Sequence, residues 1–302
     1  MEYIELDVFC LVCVALLAVI IFLLIKLNRT RTKAAMGLVF LKRKEKVLAR
    51  EIEKGLQNQA FQMYLQFIVD NKTKRIVSAE ALSRWQKEDG EVVPPGTYIG
   101  LMNATGQIAK LDYYMFEKAC SKLAQWKGTD LDHLSLSCNF TRNTICEKDF
   151  VNKLRLIAER YDFERRKLLL ELTEDSIEND LATAMRNLHQ VQQLGFRIAI
   201  DDLGSGITSL KNLCEYPIHV VKIDRALVNQ IGNEHSQKLL RGLVVLAHYL
   251  NLTVVCEGVE TEEQDRFITK TSCDYIQGWY YSKPLPEEAA EAWARAYMRN
   301  IQ

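Results

Sequence analysis

The stretch Arg197-Ile198-Ala199-Ile200-Asp201-Asp202-Leu203-Gly204-Ser205-Gly206 concentrates chemistry in ten residues. A short apolar run ends in two adjacent carboxylates and passes at once into a two-glycine turn. Such a run reads as a buried strand whose end reaches solvent. Side chains alternate across a strand, but a strand end entering a glycine-rich turn can aim both acids at one place. Two carboxylates held that close repel each other unless a cation lies between them. Taken alone, the stretch reads equally well as a turn that merely ends a strand.

Other polar residues stand where apolar runs stop: Gln66, Glu80, Asn139, Glu171, Lys222 with Asp224, Glu257 and Gln277. Each alone has a bland reading, as a surface acid, a turn former or a solvated charge. Falling at strand ends together, they describe one mouth of a barrel, where active sites are assembled from several strands. The oxygen-only donors Glu80, Asn139, Glu171, Asp201 and Asp202, without His or Cys, select hard cations, Mg²⁺ or Mn²⁺, over zinc. Asp201 can bridge two ions and Asp202 can hold the second, with the ions ~3.5–4 Å apart as in phosphodiester-cleaving sites. Lys222 can offset charge on a pentavalent phosphorus.

The elements that must position these groups show in the hydrophobic pattern. From Phe61 onward, apolar runs over Met63 to Val69, Ile76 to Leu82, Leu134 to Cys138, Leu168 to Leu172, Phe196 to Ile200, Val220 to Ile223, Leu252 to Cys256 and Tyr275 to Ile276 read as strands. Between them, helical stripes run through Leu111, Met115, Ala119, Leu123 and Trp126, through Leu181, Met185, Leu188, Val191 and Leu194, and through Leu239, Leu243, Leu246 and Leu250. Stripes of this kind face a core. Eight strands alternating with helices over about 240 residues predict an α/β fold, a TIM-like (β/α)8 barrel, rather than an open doubly wound sheet. No Gly-x-Gly-x-x-Gly follows the first strand, which argues against a dinucleotide-binding sheet.

The 302 residues are 48% hydrophobic and carry 39 basic against 39 acidic side chains. Zero net charge gives no electrostatic case for a nucleic-acid polymer as partner, so any anionic ligand must be held by local groups. The eight cysteines show no paired zinc spacing and read as reduced thiols. Residues 8 to 25 contain no charge. As a helix, such a run rises ~27 Å, close to the ~30 Å of a bilayer's hydrocarbon. Glu2, Glu5 and Asp7 precede it, whereas Lys26, Arg29, Arg31 and Lys33 follow. The positive-inside rule then places the N-terminus outside and the remainder in the cytoplasm. The expected layout is a tail over 1–7, a transmembrane helix over 8–27 contacting membrane lipid, a basic juxtamembrane linker over 28–45, and a barrel over 46–302.

With these residues assembled, Glu80-Ala81-Leu82-Ser83-Arg84-Trp85 resembles the signature of EAL-domain phosphodiesterases, which open cyclic di-GMP to linear pGpG. Further blocks match in order: Ser137-Cys138-Asn139, Leu170-Glu171-Leu172-Thr173-Glu174-Asp175, the Asp201-Asp202 stretch, Val221-Lys222-Ile223-Asp224-Arg225, Glu257-Gly258-Val259-Glu260-Thr261, and Cys273 to Gly278 before Ser282-Lys283-Pro284-Leu285. The resemblance implies that Glu80, Asn139, Glu171 and Asp201 hold a first metal, and Asp201 with Asp202 a second. It places Lys222 and Asp224 beside the metal-bound water, Glu257 as an acid/base or water-orienting group, and Glu174 as the acid that steadies the loop after the fourth strand. Gln66, Arg84, Gln277 and Tyr98 correspond to the substrate side. A homodimer is implied. The N-terminal anchor lies outside the resemblance; its apolar run and charged flanks alone predict a single-pass protein of the inner (cytoplasmic) membrane with its catalytic domain in the cytoplasm. The chain departs from the family at Phe67, at Tyr98 to Asn103, at Leu203 and at Ile207. A catalytically weak receptor or interaction module, and a hydrolase of another phosphodiester, stand as alternatives. A degenerate member usually lacks one or more acids, and here all are present, which favours the enzyme.

Overall fold

The computed structural model describes residues 44–173, 181–203, 213 and 215–301. The chain divides into compact units Met1–Lys54 and Gly55–Gln302. The expected tail, membrane helix and most of the linker lie outside the described residues, as do Glu174 and the Gly204-Ser205-Gly206-Ile207 turn. Among the described residues no helix is long and apolar enough to cross a membrane.

Among the described residues the second unit contains ten strands: β1 (Phe61–Asp70), β2 (Ile76–Gln86), β3 (Val92–Val93), β4 (Ser135–Asn139), β5 (Leu168–Thr173), β6 (Arg197–Leu203), β7 (Val220–Ile223), β8 (Thr253–Cys256), β9 (Tyr275–Gln277) and β10 (Leu285–Pro286). All eight expected apolar runs are strands. The ladder runs β1-β9-β8-β7-β6-β5-β4-β2, and β1 also pairs with β2, so eight strands close a barrel. The short strands β3 and β10 pair outside that ring, on β2 and β1.

The closure differs from a uniform (β/α)8 barrel. Strands β2 and β4 to β9 are parallel, but β1 runs antiparallel to both β2 and β9. The reason is the connection. Only residues 71–75 separate β1 from β2, and a parallel crossover needs a dozen residues or more. The segment is instead a hairpin turn, in which Asp70 Oδ1 accepts from the backbone N–H groups of Lys72 (3.0 Å) and Thr73 (2.6 Å) and Lys74 adopts φ 59°. Gln66 therefore sits mid-strand on a reversed strand, opposite Glu80, and not at a strand's carboxyl end.

Helices cover the barrel through apolar stripes. Helix Ile108–Trp126 buries Leu111, Met115, Ala119, Leu123 and Trp126, the stripe read from its spacing. Helix Leu181–Gln193 buries Ala184, Leu188 and Val191, with Leu181 39% exposed. Helix Glu234–Tyr249 corrects the third stripe: it buries Leu240, Val244 and Ala247, and Leu239 is 54% exposed. The run Leu243-Val244-Val245-Leu246-Ala247 is apolar at every position, so two adjacent stripes fit the helical period equally well.

Candidate active site

An apolar layer fills the barrel interior: Ile68, Leu169, Ala199, Val220 and Val255, with Val77 and Tyr275 packed against it. Strand side chains return to the same face every second residue. Two positions beyond Leu169, Ala199, Val220, Val255 and Tyr275 come Glu171, Asp201, Lys222, Glu257 and Gln277. On the reversed β1 the same step runs backwards, from Ile68 to Gln66. One apolar layer thus fixes one polar layer directly above it, and adjacent strands hand its members to each other: Gln66 faces Glu80, and Asn139 faces Glu171.

Lys222 lies at the centre of that layer, 1% exposed. Its Nζ is 2.5 Å from Glu257 Oε1, 3.0 Å from Glu171 Oε2, 3.2 Å from Glu80 Oε2 and 3.6 Å from Asp201 Oδ1. Glu80 is further held by Asn139 Nδ2 (2.8 Å) and Gln277 Nε2 (2.7 Å). Gln66 receives a weaker bond from Gln277 Nε2 (3.3 Å) and donates to the Ser282 carbonyl at 3.0 Å.

One cation faces too many acids. Burial pushes the Glu171 carboxyl well above its usual range and Glu80 adds repulsion, both outweighing the pull of Lys222. Glu257 is pushed up to about 8 by burial, with Asp201 and Glu80 adding to the rise against Lys222. Asp201 also rises, again chiefly through burial. Glu80 alone is lowered: burial would raise it, but Lys222 and the bonds from Gln277 and Asn139 prevail. Burial opposes the charge on Lys222 too, yet Asp201, Glu171, Glu257 and Glu80 hold its pKa well above the ordinary value.

Strand alternation would send Asp202 away from Asp201. The chain avoids this at a register shift between Ile200 and Leu203, where Asp202 adopts φ 61°. A non-glycine residue in the left-handed region costs ~1–2 kcal/mol, least for Asn and Asp. The irregularity brings oxygens of Asp201, Asp202 and Glu257 within 4.8 Å of one another, an arrangement able to hold a cation. The Asp202 carboxyl is raised to about 7 by burial, by Asp201 and by a hydrogen bond shared with Asp224. Asp224 also caps the short helix Arg225–Val228, accepting from Ala226 N. Two glycines make the adjoining turns possible. A Cβ on Gly278 would lie 2.1 Å from the Val259 carbonyl, and one on Gly258 (φ +70°) 2.2 Å from Arg225 Cβ.

Beside the acids runs a groove of about 530 Å³ lined by Arg84, Ile99, Asn103, Asn139, Phe140 and Arg142, among others. Arg84 is steadied by the Tyr64 ring (5.5 Å) and the Ser83 carbonyl (2.9 Å). Tyr98, expected on the substrate side, is a correction. It is 0% exposed, packs edge-on against Phe61 and Trp85, and its hydroxyl is bonded to Ser83. It supports the groove wall from behind. The groove also contains Asn103, Arg142 and Asn143, none of them among the expected site residues. The loop directly after Asn139 carried the available signal, because loops following barrel strands build the mouth.

Over residues 49–284 the sequence matches the EAL domain family. The chain belongs to that family. It is 30% identical to the signaling protein YkoW of Bacillus subtilis over 241 residues, 80% of this chain and 30% of that protein. It is 31% identical to the cyclic di-GMP phosphodiesterase PdeR of Escherichia coli over 254 residues, 83% of this chain and 38% of that protein. The chain thus spans about a third of the length of these relatives. The solved PaMucR phosphodiesterase, in complex with c-di-GMP, aligns with a TM-score of 0.76 and 28% identity, covering 80% of this chain and 99% of that one. The EAL domain of FimX from Pseudomonas aeruginosa, bound to c-di-GMP, shares the fold at a TM-score of 0.73 and 18% identity, over 78% of this chain and 96% of that one. In this EAL barrel the quoted sequence blocks fall on the polar layer and its loops: Glu80 on β2, Asn139 on β4, Glu171 on β5, Asp201 and Asp202 on β6, Lys222 on β7 and Gln277 on β9.

Proposed function

We propose that this EAL domain hydrolyses cyclic di-GMP to linear pGpG with two divalent cations, Mg²⁺ or Mn²⁺. The observation that carries the reading is charge: Glu80, Glu171, Asp201 and Glu257 surround the buried Lys222, and Asp202 adjoins them. Such a surplus is stable only with protons or cations to neutralise it. Glu80, Asn139, Glu171 and Asp201 would hold one ion, and Asp201 with Asp202 the other. Divalent cations held by these residues would supply Lewis acidity, making a nearby water more acidic and offsetting charge on a leaving oxygen.

The chain's own groups do the rest. Lys222 keeps Glu80, Glu171 and Glu257 in place and adds positive charge beneath the reacting phosphorus. Glu257, raised to about 8, can hold or release a proton near neutral pH. Asp224 shares a hydrogen bond with Asp202 and fixes its orientation. Arg84, on the groove wall, suits a phosphate oxygen. Gln66 and Gln277 act through Glu80. The anchor over residues 8–27, placement in the inner membrane with the barrel in the cytoplasm, and a homodimer belong to the same proposal and rest on the sequence pattern and the family resemblance. Protease shaving of spheroplasts and sedimentation of the detergent-solubilised chain test them.

The deciding experiment incubates the chain with cyclic di-GMP and Mg²⁺ or Mn²⁺ and follows pGpG, with Glu171→Ala and Asp201→Ala as controls. Metal-dependent product from the parent chain alone is the expected result. Tight binding without product would replace the enzyme by a receptor.

A further inference from the structure

At the end of the barrel opposite the acids lies a second concavity of about 730 Å³. It is bounded by the β1–β2 turn, by Asp130 and His133 ahead of β4, and by the last turns of helix Glu287–Ile301. Small-molecule sites run to about 300–1,000 Å³ and are mostly apolar with a few convergent polar groups. Met298 and Ile301 supply the apolar surface above the buried Ile76, and Arg75, Arg295 and Arg299 line the cavity together with Asp70 and Asp130. Both acids are already engaged. Asp70 Oδ1 accepts from the turn's own Lys72 and Thr73, including Thr73 Oγ1 at 2.9 Å. Asp130 takes Arg295 Nε on both oxygens, at 3.1 and 3.2 Å. Arg295 is thereby spent, whereas Arg75 and Arg299 are exposed and make no ion pair among the described residues.

We propose that this cavity binds a phosphomonoester with an apolar body, its phosphate on the guanidinium groups of Arg75 and Arg299 and its body over Met298 and Ile301. The planar guanidinium fork matches phosphate geometry, and an apolar floor selects against bare inorganic phosphate. In barrels the amino-terminal ends of the strands lie away from the chemistry, so the ligand leaves the mouth open and has the position of an effector.

The test uses the full chain in detergent micelles, titrated calorimetrically with inorganic phosphate, phenyl phosphate and, in the same micelles, a short-chain phosphatidate. Phenyl phosphate is expected to saturate at least tenfold more tightly than inorganic phosphate. Arg75→Ala/Arg299→Ala is expected to weaken it tenfold or more, with unchanged melting because both side chains are exposed. Met298→Trp, which fills the floor, should produce the same loss by a second route. Saturation by phosphatidate alone assigns the same chemistry to a lipid headgroup. The proposal fails if none of the three saturates, if the double variant binds like the parent, or if inorganic phosphate saturates as tightly as phenyl phosphate.

Discussion

Two buried lysines in this barrel make opposite statements. Lys122, 7% exposed, pairs with Glu287 (2.9 Å) and Glu291 (3.0 Å), and Trp126 Nε1 donates to the same Glu291 at 3.1 Å. The pairs tie helix Ile108–Trp126 to helix Glu287–Ile301. There burial would raise the Glu291 carboxyl, but Lys122 and Trp126 pull it below its usual value. Around Lys222 the acids Glu171, Asp201 and Glu257 all move upward despite their lysine. Lys122 satisfies its acids and the cluster is a clamp. Lys222 cannot, and the unsatisfied remainder is the charge that the proposed cations would neutralise.

The largest expected contrast comes from removing one surplus acid. Asp201→Asn should lower cyclic di-GMP turnover by about a thousandfold or more, the scale on which a transition-state charge partner acts. It should leave the metal-free melting temperature unchanged or raised, since it relieves repulsion. Turnover assays beside calorimetric melting in EDTA check both halves. A variant that loses activity only because it melts early would erase the distinction drawn between the clusters.

Lys222→Met comes next. Stripping the one cation from buried carboxylates costs ~3–5 kcal/mol when they cannot take up protons. The loss should therefore be largest in metal-free protein at high pH and shrink as pH falls. Urea unfolding at two pH values measures it. A loss independent of pH would mean that the acids do not depend on Lys222 for neutralisation.

How much of this was legible beforehand depends on what the pattern encodes. Strand positions and the identity of the acids follow from apolar runs and from where those runs stop, because burial forces both. The direction of β1 was also encoded, in the five residues 71–75 that are too few for a crossover. The Asp201-Asp202 geometry was not. Alternation sends adjacent side chains apart, and only the left-handed backbone at Asp202 reunites them. Tyr98 shows the same limit from the other side: motif position put it near the substrate, whereas packing on Phe61 and Trp85 buries it. Leu239 points outward because its helix offered two apolar stripes of equal quality and packing chose the other.

At the proposed site protons and cations would compete for the same surplus oxygens, which sharpens the contrast further. Carboxyls raised in the folded state bind protons that the unfolded chain has released, so they favour folding at low pH and lose that contribution as pH rises through the folded pKa. With Asp202 raised to about 7 and Glu257 to about 8, metal-free protein should become less stable as pH rises across that interval. Divalent-cation affinity should rise over the same interval, by about tenfold per pH unit for each proton displaced. Mn²⁺ titration followed by electron paramagnetic resonance gives the affinity, and melting with and without Mn²⁺ gives the stability. A flat affinity between pH 6 and 9 would rule out protonated acids as the competitor.

The smallest effect belongs to the balanced cluster. Lys122→Met leaves Glu287 and Glu291 with side chains 25% and 20% exposed, so water can solvate what the lysine abandons. Trp126 Nε1 still donates to Glu291, and the methionine stem keeps the packing of the lysine's methylenes. The expected cost is ~1–2 kcal/mol, between a surface pair and a buried one, with cation affinity and turnover at parental values. Chemical denaturation and Mn²⁺ titration of the same preparation decide it. A loss as large as that of Lys222→Met, or any change in Mn²⁺ affinity, would mean that charge balance does not separate the structural lysine from the functional one.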